Sequence, residues 1–160
     1  AQVRDLTGSG VIPARRPAGR ESPGPEARGR GRGTCVGQKL LWLALAGACG
    51  TLARYGLGGW VQRAASPGFP WGTLAVNVSG CFLFGLAWSL AQQRLAIAPE
   101  VRTVVLVGFL GAFTTFSSLV FETEQLMAQS EWMRAALNAF GSLAAGLAAY
   151  LAGAWLARPG

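Results

Sequence analysis

A chain of 160 residues with 51% hydrophobic and only 13% charged side chains departs from a soluble domain, where about 25% charge is usual. Its net charge of +7 is gathered at one end: residues 1–39 hold eight of the 14 Lys/Arg and three of the seven Asp/Glu. The sequence has no histidine, so zinc, haem and a Ser-His-Asp triad lose their usual ligand or base, and the balance argues against an enzyme.

Residues 1–39 are rich in Arg, Gly, Pro, Ser and Ala and show no hydrophobic periodicity. Such a segment buries too little to offset its ordering entropy and reads as a disordered basic tail. It does not resemble a signal peptide, because no short apolar core and cleavage site follow the basic stretch. Without aromatics or a fold, it gives no reason to expect nucleic-acid binding. With Ala at position 1, the tail is expected to be a mis-called start or part of a longer product.

Four apolar runs follow, at about 40–60, 71–92, 101–127 and 132–156, each long enough for the roughly 20 residues that cross a bilayer. Trp42, Trp60, Trp71, Trp132 and Trp155 stand near their ends, where indole rings suit the headgroup level. The connections are short and carry Pro67, Gly68 and Pro99. The expectation is an all-α membrane protein whose residues 40–157 form four transmembrane helices, multi-pass in the cell inner membrane.

Charge orients such a bundle only weakly. With the tail set aside and the N-terminus inside, Lys39, Arg94, Arg102 and Arg158 face Arg63 and Arg134, with Arg54 near the outer end of the first run. So little asymmetry is compatible with insertion both ways round. Counted in, the tail's arginines would pull the N-terminus to the cytoplasm.

Helical spacing collects small and polar residues on one face of each run. The first has Gly47, Thr51, Arg54 and Gly58; the second Thr73, Asn77, Cys81 and Phe84; the fourth Asn138, Ser142, Gly146, Ala149 and Gly153. Glycines there suit close helix packing, whereas two amides in hydrocarbon point to a shared polar path. Arg54 either snorkels to the interface or draws anions to a pore mouth. Glu122 lies close enough to the apolar part of the third run to matter; Glu124 reads as solvated. Cys49 and Cys81 read as buried small packing residues.

The third run is the unusual one. Between 108 and 118 it holds two glycines, three phenylalanines and four hydroxyls. Gly111 weakens a helix and Thr114-Thr115 can cap a new one, so a break is expected at 111–115, mid-membrane. Broken helix ends hold ions, and the carbonyls of Gly111 and Thr114 suit a hard cation such as Na⁺. Phe109, Phe113 and Phe116, at steps of four and three, are expected to line one face, where ring edges carry positive partial charge.

At 47–55 (GACGTLARY), 72–85 (GTLAVNVSGCFLFG) and 108–122 (GFLGAFTTFSSLVFE) the chain resembles the Fluc/CrcB fluoride channels, in the same order and over essentially all of 40–157. The resemblance implies a dual-topology protein that pairs antiparallel, with two fluoride pores and a central Na⁺ at the dimer interface. Gly111 and Thr114 would give that Na⁺ backbone carbonyls. Asn77, Phe116, Ser117, Ser118, Asn138 and Ser142 would belong to the fluoride path, with Arg54 near a vestibule and Glu122 matching a family glutamate. Leu119 departs from the family, which usually has a second phenylalanine there. That substitution leaves two expectations open, slower conduction or a paralogous partner chain that supplies the ring. The implied function is passive escape of cytoplasmic fluoride. The alternative, a proton-coupled multidrug exporter, needs a carboxylate in an early span, and the first two runs have none.

Overall fold

The computed structural model describes residues 25–93 and 98–158; the expectations for residues 1–24 and for Arg94 lie outside them. The described residues form helices joined by short turns, with no strand among them. Helix α1 is Pro25–Ala64, α2 is Trp71–Gln93, α3 covers 99–113, α4 is Phe116–Ala128 and α5 is Trp132–Leu156. Four segments are long and apolar enough to cross a membrane: Val36–Ala64, Trp71–Gln92, Pro99–Ala128 and Trp132–Leu156. α3 and α4 together make the third.

Helix α1 begins at Pro25, so residues 25–39 are helical where the sequence reading has an unstructured tail. Proline is tolerated in a first helical turn, and once the apolar run is helical, extension adds one bond per residue fixed. Glycines at 29, 31, 33 and 37 are weak helix formers but do not prevent it.

The turns have readable causes. Between α1 and α2, Gly68 takes φ +94°, and Gln62 bridges the loop. Its Nε2 donates to the Phe69 carbonyl at 3.1 Å and its Oε1 accepts from the Gly72 N–H at 3.0 Å, capping α2. Between α4 and α5, Ser130 turns the chain at φ 62°, and the Glu131 N–H returns to the Leu126 carbonyl at 2.9 Å. Pro99 opens α3 in its first turn.

Two stretches wind more loosely than an α-helix. Val104–Leu110 in α3 and Leu137–Gly141 in α5 are π-helical, a register that periodicity alone does not foretell.

The helices pack backbone to backbone. α2 and α5 make the most extensive contact, and a Cβ on Gly85 would strike the Tyr150 carbonyl while one on Gly153 would strike the Phe82 carbonyl. Likewise a Cβ on Gly50 of α1 would meet the Phe109 carbonyl of α3. Small residues that let membrane helices approach this closely gain dispersion contacts that lipid chains cannot match. The opposite faces stay uncovered: Leu143, Leu147, Leu151 and Trp155 of α5 are all more than half exposed. Arg102 rests over the Trp88 ring at 4.0 Å, tying the start of α3 to the end of α2.

Candidate functional site: the broken third span

The helix stops at Phe113 and restarts at Phe116. Thr114 is extended at φ −80°, ψ 156°, and Thr115 at φ −146°, ψ 117°. Thr114 makes the last helical bond, N–H to the Leu110 carbonyl at 3.1 Å, and its hydroxyl donates to the same oxygen at 3.0 Å. Thr115 then caps α4: its Oγ1 accepts the Ser118 N–H at 3.3 Å and donates to the Ser118 hydroxyl at 3.0 Å. A hydroxyl at this position contributes about 1 kcal/mol to a helix start.

The Thr115 N–H does not return to the Gly111 carbonyl four residues back. It donates to Oδ1 of Asn77 at 2.8 Å, while Nδ2 of Asn77 donates to the Thr115 carbonyl at 2.9 Å. Asn77 therefore satisfies both backbone groups of Thr115, and the Gly111 carbonyl keeps no helical donor.

Two grooves meet at Thr115. The larger, about 820 Å³, lies among α2, α4 and α5 and is lined by Asn77, Cys81, Phe116, Leu119, Thr123 and Ser142, among others. The smaller, about 410 Å³, lies between α1, α2 and α4 and takes in Thr51, Arg54, Thr73, Ser118 and Glu122. Thr115, 8% exposed, contributes to both walls.

In the smaller groove the Thr73 hydroxyl donates to Oε1 of Glu122 at 2.6 Å, while Oε2 of Glu122 is buried without a partner among the described residues. Arg54 faces the same groove and makes no ion pair among the described residues. Beside the larger groove, Asn138 is 0% exposed: its Nδ2 donates to the Thr123 hydroxyl at 3.0 Å and to the Leu119 carbonyl at 3.4 Å. Its Oδ1 and the Oγ of Ser142 are buried with no hydrogen-bond partner among the described residues. Unpaired buried oxygens are costly. The Glu122 and Asn138 oxygens can only accept and so suit a guest donor, whereas the Ser142 hydroxyl can donate to a guest acceptor.

The sequence-derived site residues therefore fall into groups. Arg54, Ser118 and Glu122 share the smaller groove; Asn77, Phe116, Leu119 and Ser142 share the larger. Asn138 sits behind the larger groove and lines neither. Ser117 is exposed, its hydroxyl 3.4 Å from that of Thr115. Gly111 is exposed, and Thr114 borders the larger groove.

Two further expectations are corrected: Cys49 is exposed rather than buried, and the three phenylalanines diverge. Phe109, Phe113 and Phe116 do not share a face: Phe109 and Phe113 stack at 6.0 Å, Phe113 is 5% exposed, and Phe116 is 76% exposed. Two extended residues cancel the helical phase between Phe113 and Phe116. Sequence reasoning also passed over Thr123, which donates to the Leu119 carbonyl at 2.7 Å and receives Asn138. The usable signal was Asn138 itself, since a buried amide demands a polar partner on a neighbouring helix.

Residues 41–154 match the family described as CrcB-like protein, Camphor Resistance (CrcB). The chain is similar to the fluoride-specific ion channel FluC of Nitrosococcus oceani, 56% identical over 110 residues, 69% of this chain and 88% of the relative. A protein of the same name from Nitratidesulfovibrio vulgaris (strain Miyazaki F) is 53% identical over 111 residues, 69% of this chain and 90% of its own. Another from Thermus thermophilus is 51% identical over 110 residues, 69% of this chain and 86% of the relative.

Proposed function

Since this chain belongs to the CrcB family, we infer that it is a fluoride channel, a multi-pass membrane protein of the plasma membrane that lets the anion leave the cytoplasm down its gradient. A channel is not an enzyme, and the relatives give no support to a multidrug exporter.

The observation that carries the mechanism is the meeting of two grooves at the break in the third span, the smaller walled by Arg54, Thr73, Ser118 and Glu122, the larger mostly apolar with Asn77, Thr123 and Ser142 set into its wall. Fluoride is small and holds its water tightly, so a selective path must offer close donors in place of hydration. Arg54, free of ion pairs among the described residues, draws the anion toward the smaller groove. The hydroxyls of Ser118 and Ser142 and the amide of Asn77 give neutral donors along the walls. Neutral donors bind without trapping, as conduction requires. The ring of Phe116 can present its positive edge to the ion, whereas Leu119 beside it cannot.

A second copy in antiparallel orientation would complete the pore. Phe116 is 76% exposed in one subunit, which a pore-wall residue would not be once its facing wall is in place. The balance of basic residues between the two ends of the bundle suits insertion in both orientations. Leu119 leaves room for a partner of different sequence that brings an aromatic ring, as well as for an identical copy.

The break also fits Na⁺. The Gly111 carbonyl has lost its helical donor to Asn77, Gly111 is exposed, and Thr114 is extended, so neutral oxygens are offered without a carboxylate. Such a donor set suits a hard monovalent cation, and two antiparallel copies would bring Gly111 and Thr114 from each. When bound, the cation supplies fixed positive charge and holds the two subunits together.

Purified protein in liposomes loaded with fluoride should release it rapidly to an ion-selective electrode while retaining chloride. Release no faster than from empty liposomes, with and without candidate partner chains, would sink the proposal.

A further inference from the structure

We propose that Asn77 is the positioning residue that selects the broken conformation of the third span, and with it the free state of the Gly111 carbonyl; for the cation, this rests on the Na⁺ site put forward above. Extended and helical backbones present their groups differently. In an extended residue the N–H and C=O point to the same side, as in a residue that exchanges both bonds with a neighbouring strand. In a helix they point in opposite directions along the axis. The Asn77 carboxamide bonds both groups of one residue, accepting the Thr115 N–H at 2.8 Å and donating to its carbonyl at 2.9 Å. It thus behaves as a one-residue strand, and only an extended Thr115 can satisfy it.

The alternative state is equally concrete. A helical Thr115 would give its N–H to the Gly111 carbonyl and join α3 to α4, removing that oxygen from any ion. Local sequence does not forbid this, since threonine is only a modest helix breaker and Thr115 is not a glycine or proline. Asn77 tips the choice from α2, outside the segment that breaks. Only one of its two amide hydrogens is used on Thr115, and Asn77 also lines the larger groove, so one side chain touches both the break and the anion path. A residue that only lined the path would need no such two-point bond.

The test uses the full chain in lipid nanodiscs with ¹³C-labelled threonine. In the wild type the Thr115 Cα and Cβ shifts should lie on the extended side of the random-coil values. Asn77→Ala should move them to the helical side, and should raise roughly tenfold or more the Na⁺ concentration needed for half of the thermal stabilisation by Na⁺ over N-methylglucamine. Asn77→Asp keeps size and acceptor but loses the donor; it should fall between, and it decides the matter if Asn77→Ala does not fold. Unchanged Thr115 shifts in either folded variant, even with fluoride efflux lost, overturn the proposal and leave Asn77 a wall residue. A wild type that Na⁺ does not stabilise would instead refute the cation reading, while the Thr115 shifts still decide the role of Asn77.

Discussion

Ser142→Ala separates function from stability because the two should move in different directions. Ser142 is 5% exposed, and its hydroxyl oxygen is buried without a hydrogen-bond partner among the described residues. Removing an ordinary buried hydroxyl breaks a bond worth about 1 kcal/mol net. Here no bond is lost. What disappears is the desolvation of an unpaired polar atom, about 1–3 kcal/mol of penalty, set against a void of one oxygen. Thermal stability of the detergent-purified protein should therefore stay level or rise. Transport should behave otherwise. A hydroxyl that donates to a passing anion contributes about 1.5–3 kcal/mol, as hydrogen bonds to charged groups do. At 1.36 kcal/mol per factor of ten, its loss should slow fluoride efflux by about tenfold or more. The paired measurement is initial efflux from liposomes and the melting midpoint of the same preparation. A midpoint several degrees lower, or efflux at the wild-type rate, would show that the hydroxyl serves packing and that the larger groove does not carry the ion.

Three further outcomes test other parts of the site. Phe116→Ile keeps an apolar side chain but removes the ring edge, and should slow efflux without altering the melting midpoint; an unchanged rate takes Phe116 out of the wall. Arg54→Gln should reduce efflux most at low ionic strength and progressively less above about 0.15 M, where charges more than ~8 Å apart are screened; a salt-independent loss would argue for a structural role. Gly153→Val should destabilise by about 1–3 kcal/mol or more, since its Cβ would strike the Phe82 carbonyl and only separation of α2 and α5 relieves that; a wild-type melting curve would contradict the packing described.

Hydropathy made the four spans legible because the bilayer fixes both their length and their composition. The expected break at 111–115 is narrower in the structure: Gly111 stays helical at φ −63°, ψ −35°, and only Thr114 and Thr115 leave the helix, with Thr115 capping the restart. Other features depend on contacts across space. That Asn77 serves the backbone of Thr115, 38 positions away, follows only from how α2 lies against the break. The separation of Arg54 and Ser142 into different grooves has the same origin. Phe116 was misplaced because helical counting was carried through two residues that are not helical. The start of α1 was missed because residues 25–39 were weighed by composition alone, without the helix they adjoin.

The π-helical stretch Val104–Leu110 bears on how this channel can vary. Such a turn holds one residue more than an α-helical path over the same height, and so resembles an insertion the fold has already absorbed. Each residue adds about 100° of rotation in an α-helix. Deleting one residue at 104–107 would let this turn close to α-helix over about the same height and leave Phe113 and Thr114 nearly in register, whereas a deletion in an α-helical stretch would rotate everything beyond it by that amount. A one-residue length difference between homologues would thus be better tolerated in this stretch than in the α-helical parts of the spans, and a gap placed there in an alignment would signal a closed turn rather than a different pore.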